Sequence, residues 1–285
     1  MKEILSGNIA RYRKENRLTQ DELAEKLGIT FQAVSKWETG QTVPETTLLP
    51  KLAKILNISI DKLLGYTAYN SDVSPYEALY KKDEYYWGVQ PSSMCLKVLE
   101  IIPPIAERQL KVIDIGCGEG KDAVFFARCG YDVSAFDISD AGLDKLKRLA
   151  DNANVHVRTF KADMLDYRLD EKYDIIYSSG VLHYIKSALR VEIMENYKTH
   201  IYENGIVALQ VFVKKPFILP EPDREKSSHV TSWKSGELFS YFHNWYIEEC
   251  TENVFDCNSS GVPHKHADNR LFARNIKNIL DLTRN

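Results

Sequence analysis

Along the first sixty-six residues, apolar positions recur at helical spacing between polar start and stop signals. Thr19 stands three residues before Glu22, a capping box, and Asp21 and Glu22 put acid into a first helical turn. Leu23, Ala24 and Leu27 form the apolar stripe behind them, and Gly28 ends the helix. Thr30 caps the next one. On it Val34 and Trp37 point to one side, Phe31, Gln32, Ser35 and Lys36 to the other, and Gly40 closes it. A further helix has Pro50 in its opening turn and carries Leu52, Ala53, Ile55 and Leu56. A last one runs from Ile60 to Leu64 and stops at Gly65. Two short helices joined by a tight Gly28-Ile29 turn inside an all-helical unit predict a helix-turn-helix.

Residues 67–75 lose all periodicity and read as a linker. Tyr80, Tyr85, Tyr86 and Trp87 then cluster ahead of an apolar helix from Ser93 to Ile101, which ends before Pro103 and Pro104. These rings suit two uses, a packing pad for that helix or a wall over a ligand, since aromatic faces attract a cation. From Leu110 the pattern alternates strand and helix. Strands are predicted at Leu110–Ile115, Tyr131–Phe136, Val155–Phe160 and Tyr173–Tyr177. Helices carry Ala123 to Ala127 and Ala141 to Ala150. Such alternation implies a doubly wound parallel sheet.

Composition narrows the class. An apolar share of 44% supports buried cores in two domains, at 1–66 and 76–285. No stretch approaches a membrane span or a signal peptide, and five scattered cysteines without a CxxC pair fit a reducing compartment, so a cytoplasmic protein without membrane contact is expected. The formal net charge is −3, with +2 in residues 1–66 and −5 in the rest. A small basic excess at one end fits a DNA-binding module, and ordinary surface variation accounts for it equally well.

The glycine loop carries chemistry. Gly116, Gly118 and Gly120 follow a strand and open a helix, and Asp137 ends the next strand 19 residues after Gly118. Glycines there allow a tight turn and close backbone approach to a ligand at a helix N-terminus. A dinucleotide-binding fold shares all of this. Asp114, directly before the loop, tips the balance, because a pyrophosphate has no use for a carboxylate while a ligand with a cationic amino group does.

Two family resemblances follow. LTQDELAEKLGITFQAVSKWETGQTVP with LAKILNISIDKLLG resembles the phage-repressor-like (Cro or xenobiotic-response-element) helix-turn-helix family over residues 4–65. It implies an all-α five-helix domain that binds double-stranded DNA, normally as a dimer, with the Thr30–Thr39 helix in the major groove. There Phe31, Gln32, Ser35 and Lys36 would face the bases, while Gln20 and Thr30 anchor phosphates. Arg13 and Glu38 match positions that pair internally. The D-x-G-x-G-x-G form with Asp137 and Asp163 resembles class I S-adenosylmethionine-dependent methyltransferases, a seven-stranded Rossmann-like fold. It implies that Asp114, Gly116, Cys117, Gly118 and Gly120 take the methionine moiety and Asp137 with Ile138 the ribose. Ala162, Asp163 and Met164 would take the adenine, and Ser178 would lie beside the methyl group. GCGEGKDAVFFARCGYDVSAFDIS, KSGELFSYFHNW and LFARN resemble the tellurite-resistance subgroup, whose His-Arg pair has no clean counterpart here.

Methyl transfer from a sulfonium needs alignment in a dry pocket, and a base only if the acceptor is protonated. His183, just past the fourth strand, and His264 and His266, alternating on one face, are the candidates for catalytic or substrate contact. Each also reads as a structural histidine. Cys257 with these two histidines matches a soft metal or metalloid site lacking a fourth ligand, and no metal is assigned to the chain on that basis. Ser178-Ser179-Gly180-Val181 lacks the Pro-Pro-aromatic motif of amine-directed enzymes, which argues against a DNA-modifying activity. The expectation is a small-molecule methyltransferase fused to a transcriptional regulator. The alternative is a transcription factor whose second domain senses S-adenosylmethionine or a metabolite without turnover.

Overall fold

A computed structural model describes residues 2–58, 60–64, 76–105, 107–218, 233–257 and 263–277. The predicted linker, 67–75, lies outside them. The chain separates into two compact units, residues 1–70 and 71–285.

In the first unit the described residues form helices α1 (Lys2–Glu15), α2 (Gln20–Leu27), α3 (Phe31–Glu38), α4 (Leu49–Ile55) and α5 (Ile60–Leu64), with a 3-10 turn at Thr46–Leu48. Local chemistry sets the ends. Thr19 and Glu22 exchange both bonds of a capping box, and Gly28 closes α2 in the left-handed region at φ 76°. The Thr30 hydroxyl accepts from the N–H of Ala33 and starts α3. Ile9, Leu23, Val34, Leu52 and Leu63 are fully buried between the helices, each contributing about 1.5–3 kcal/mol of burial. Arg13 meets Glu38 through two bonds of 2.6 and 3.0 Å. Burial pushes the Glu38 carboxyl up, but hydrogen bonds from Arg13 and Gln20 outweigh it and hold the group below its usual range.

The second unit begins with α6 (Glu77–Tyr80) and α7 (Ser93–Ile101), then alternates β1 (Lys111–Ile115), α8 (Lys121–Arg128), β2 (Asp132–Asp137), α9 (Asp140–Asn152), β3 (Arg158–Lys161) and β4 (Tyr173–Ser178). It closes with α10 (Ser187–Thr199), β5 (Ile201–Phe212), α11 (Glu237–Ser240), β6 (Tyr246–Cys257) and β7 (His264–Arg274). The sheet order is β3-β2-β1-β4-β5-β7-β6. Val112, Ile113 and Ile115 are fully buried, as a strand covered on both faces must be.

The four strands expected from the alternating pattern pair in parallel, as predicted. The first five strands are parallel, whereas β7 runs antiparallel to both β5 and β6, which makes the sheet mixed. The strand predicted from Val155 starts at Arg158 instead. Residues before it finish α9, with Asn154 at φ 54° and the N–H of Val155 returned to the Ala150 carbonyl. Strand order reverses between β1 and β4, and a crevice at the carboxyl ends of those strands is where such sheets bind ligands. Among the described residues no helix is long and apolar enough to cross a membrane.

Candidate active site

The turn after β1 is held by backbone. The N–H groups of Gly116 and Cys117 both bond the Phe136 carbonyl, at 2.9 and 3.0 Å. Gly116 and Gly120 have φ of 70° and 84°, and a Cβ there would meet Val181 at 2.5 Å and Leu146 at 2.2 Å. Neither position accepts a side chain, so the loop is shaped by its glycines. Asp137, at the end of β2, accepts from the N–H of Gly118 at 2.9 Å and of Ser139 at 2.8 Å. Burial raises its pKa, with those bonds opposing. Asp114 is buried beneath the loop, and burial, then Asp122 and Asp137, push its carboxyl well above the ordinary range. Asp114 thus feels two further carboxylates, Asp122 and Asp137, with Lys121 opposing them. The Cys117 thiol is pushed up in a similar way, by burial and then by the charges of Asp114 and Asp137.

Other expected contacts lie along the same edge. Ile138 and Ala162 are half-buried, and the N–H of Ala162 bonds the Asp137 carbonyl at 3.2 Å. Asp163 accepts from the N–H of Leu165 at 2.9 Å, and Met164 is buried beside it. Ser178 is different. It is fully buried, and its hydroxyl donates to the Ile115 carbonyl at 2.9 Å, so it ties β4 to β1.

The aromatic segment lies over the loop. Tyr76 stacks on Tyr80 at 5.7 Å, Trp87 meets Tyr86 edge-on at 4.8 Å, and the Trp87 indole N–H donates to the Tyr80 hydroxyl at 3.0 Å. That hydroxyl stands 2.9 Å from where a Cβ on Gly118 would be. The rings thus pack against the glycine loop itself. The fastening was not visible in the sequence. Lys145 and Glu119 form an ion pair of 2.7 Å, each no more than 2% exposed. Lys145 also donates to the Glu84 carbonyl, and Glu119 accepts the N–H of Trp87 at 3.1 Å. Glu77, from α6, accepts the Ser139 hydroxyl. Lysine and glutamate normally stay at the surface, and no spacing rule brings positions 119 and 145 together.

Beyond β4 the wall is built of rings. His183 is 1% exposed and lies face-on to Phe212 at 4.5 Å, and His266 also stacks on Phe212, at 4.9 Å and parallel to it within 3°. Packing is therefore the visible role of His183. His264 and His266 do share one face of β7, their Nε2 atoms 2.8 Å apart. Alongside, Ser179 donates to Gln210, which donates to the fully buried Asp268, and Arg270 donates to Asp268 at 2.9 Å. Gln210 and Asp268 carried no motif; only the pairing of β5 with β7 joins them.

In the first unit Phe31, Gln32 and Lys36 are exposed on α3, and Ser35 is half-buried. The Gln20 amide donates to Glu38 at 2.7 Å, so that nitrogen is spent inside the domain. Thr30 is likewise occupied as a cap.

Fold and loop together define a Rossmann-like methyltransferase domain accompanied by a helix-turn-helix domain. The family model described as Tellurite resistance protein TehB matches residues 79–263, and the chain belongs to that family. A model described as Helix-turn-helix matches residues 9–63. The probable S-adenosyl-L-methionine-dependent methyltransferase TehB of Haemophilus influenzae is 27% identical over 162 residues, 56% of this chain and 52% of that one. The chain thus spans about half the length of the curated TehB relatives it matches. The HTH-type transcriptional regulator YqaE of Bacillus subtilis is 39% identical over 61 residues, 21% of this chain and 53% of that one. Among solved structures, TehB from Haemophilus influenzae superposes with a TM-score of 0.56 at 21% identity, covering 70% of this chain and 65% of that one. Magnesium protoporphyrin IX methyltransferase from Synechocystis, with bound SAH, gives 0.50 at 16% identity over 64% of this chain and 81% of that one.

Proposed function

We propose that the second domain binds S-adenosylmethionine and methylates a small molecule, and that the first binds a DNA operator. One observation carries the cofactor reading. A buried carboxylate, Asp114, lies under a glycine loop whose backbone is fixed by Asp137, at the switch point of the sheet. The α-ammonium of the methionine moiety is a cation suited to this acid cluster. Asp137 offers a second carboxylate at the same edge, for the ribose hydroxyls. Its bond to Gly118 couples ribose recognition to the shape of the loop. The aromatic wall meets Gly118 with the Tyr80 hydroxyl foremost, and its rings would shield a sulfonium there from water.

Calorimetric titration with S-adenosylmethionine and S-adenosylhomocysteine tests this directly. Both are expected to bind, and Asp137→Ala is expected to weaken both by about 100-fold, as loss of a buried charge-assisted contact does. Undiminished binding in that variant would sink the assignment. The sensor reading draws on the same wall, because the buried Tyr80 closes over the loop. Release of S-adenosylhomocysteine on addition of candidate acceptors decides for the enzyme; binding without any turnover decides for the sensor.

For the first domain, the polar, partly basic face of α3 supports base contact in the major groove, with glutamine suited to adenine and lysine to guanine. A dimer would supply the second half-site that one small module needs. Gln32→Ala and Lys36→Ala are each expected to cost about 1–3 kcal/mol in a mobility-shift assay on the upstream DNA. Unchanged shifts in both would remove α3 as the reading helix.

A further inference from the structure

We propose that Cys257, His264 and His266 ligate one soft divalent ion of the zinc class, at the acceptor side of the sheet. Among the described residues, this is the group of three in which one donor atom from each side chain lies within 4.8 Å of both others. The backbone builds it. Cys257 ends β6 directly opposite His264, which starts β7, and His266 follows two residues on along the same face. The imidazoles stand perpendicular, with centroids 4.6 Å apart, and their Nε2 atoms share a hydrogen bond of 2.8 Å that an ion between them would replace. Zinc held by nitrogen at 2.0–2.1 Å and sulfur at 2.3 Å sets its donor atoms roughly 3.3–3.7 Å apart. The Nε2 atoms are 2.8 Å apart and all three donors lie within 4.8 Å of one another, so the two rings would have to part slightly to admit the ion.

The donor set selects the ion. Two imidazoles and a thiolate without a carboxylate favour zinc over calcium or magnesium. All three side chains are half-buried, so an ion reaches them from solvent. Three protein ligands leave the fourth tetrahedral position open, as in catalytic zinc sites. His266 stacks on Phe212, which stacks on His183 just past β4, so the ion stands on the ligand-binding edge. Resting on the methyltransferase reading, the open position takes a thiol acceptor. The bound sulfur gives its proton to solvent, and the thiolate pair forms the bond to the methyl carbon as the carbon–sulfonium bond breaks. The products are a thioether, S-adenosylhomocysteine and the released proton.

The test is a Co2+ titration of the full chain without any methyl donor. About one equivalent is expected to give tetrahedral visible bands and a near-ultraviolet thiolate-to-cobalt band, both displaced by Zn2+. Cys257→Ser should lose the thiolate band. His264→Gln and His266→Gln should each weaken binding beyond the about 10–100-fold cost of losing a mere outer-shell partner. Lys265→Ala, on the opposite face, should leave the titration unchanged, and melting curves check that every variant folds. A thiolate band that persists in Cys257→Ser, or a weak octahedral spectrum, overturns the site and leaves the cofactor reading standing. Added 2-mercaptoethanol should strengthen the thiolate band. If it does not, the thiol step falls while the ion site remains.

Discussion

Asp114→Asn is expected to make the ligand-free protein more stable and to abolish its cofactor binding. Burial and two neighbouring carboxylates raise the folded-state pKa of Asp114 well above the value near 3.9 of an unfolded aspartate. A carboxyl raised in this way favours folding at low pH. Its contribution is fully present below the unfolded value and is lost as pH rises through the folded one. Above the unfolded value, keeping this group buried is therefore a cost, and asparagine removes it while keeping an acceptor for the Ala123 backbone N–H. Ligand-free Asp114→Asn should melt about 2–4 °C above wild type at pH 7, with the gap closing as pH falls. Cofactor binding runs the other way, because the ammonium of S-adenosylmethionine pairs with the ionised form. Loss of that buried partner costs about 3–5 kcal/mol, or at least 100-fold in affinity. Wild-type affinity should likewise fall as acid protonates Asp114. Scanning calorimetry and titration from pH 5 to 8 check both arms. A variant that loses stability and keeps its affinity would show Asp114 to be structural.

Chain-local chemistry was legible and long-range polar pairing was not. The capping box at Thr19, the cap at Thr30 and the helix from Ser93 to Ile101 lie where their side chains dictate, since each depends on neighbours within four residues. The glycine loop was legible for the same reason. β6 left little trace, because as the edge strand it alternates exposed and half-buried residues rather than carrying an apolar run. Ser178 was placed at the ligand, but its hydroxyl is consumed within the sheet, a contact 63 positions away along the chain. Gln20 was placed at the phosphate and is drawn inward by Glu38. In both cases a polar side chain near a site found a closer partner that only the tertiary fold supplies.

The Glu119–Lys145 pair makes the other large effect. It joins the glycine loop to α9 and, through Glu84 and Trp87, fastens the aromatic wall to both. Lys145→Met leaves Glu119 buried without its counter-charge. The expected cost is about 3–5 kcal/mol, a fall in melting temperature on the order of 10 °C for a unit of this size. Adding Glu119→Leu removes the stranded charge and should recover more than half of that loss, since well-packed apolar replacements of buried ion pairs are often neutral. Recovery will be incomplete, because the Trp87 N–H and the Glu84 carbonyl still lack their partners. In both variants limited proteolysis is expected to cut within residues 76–92 faster than in wild type. The double variant separates two causes that the single one merges. If stability returns while the segment stays open to protease, the ion pair is what clamps the wall. If Lys145→Met melts within about 1 kcal/mol of wild type, the aromatic contacts hold the wall alone and the ion pair is incidental.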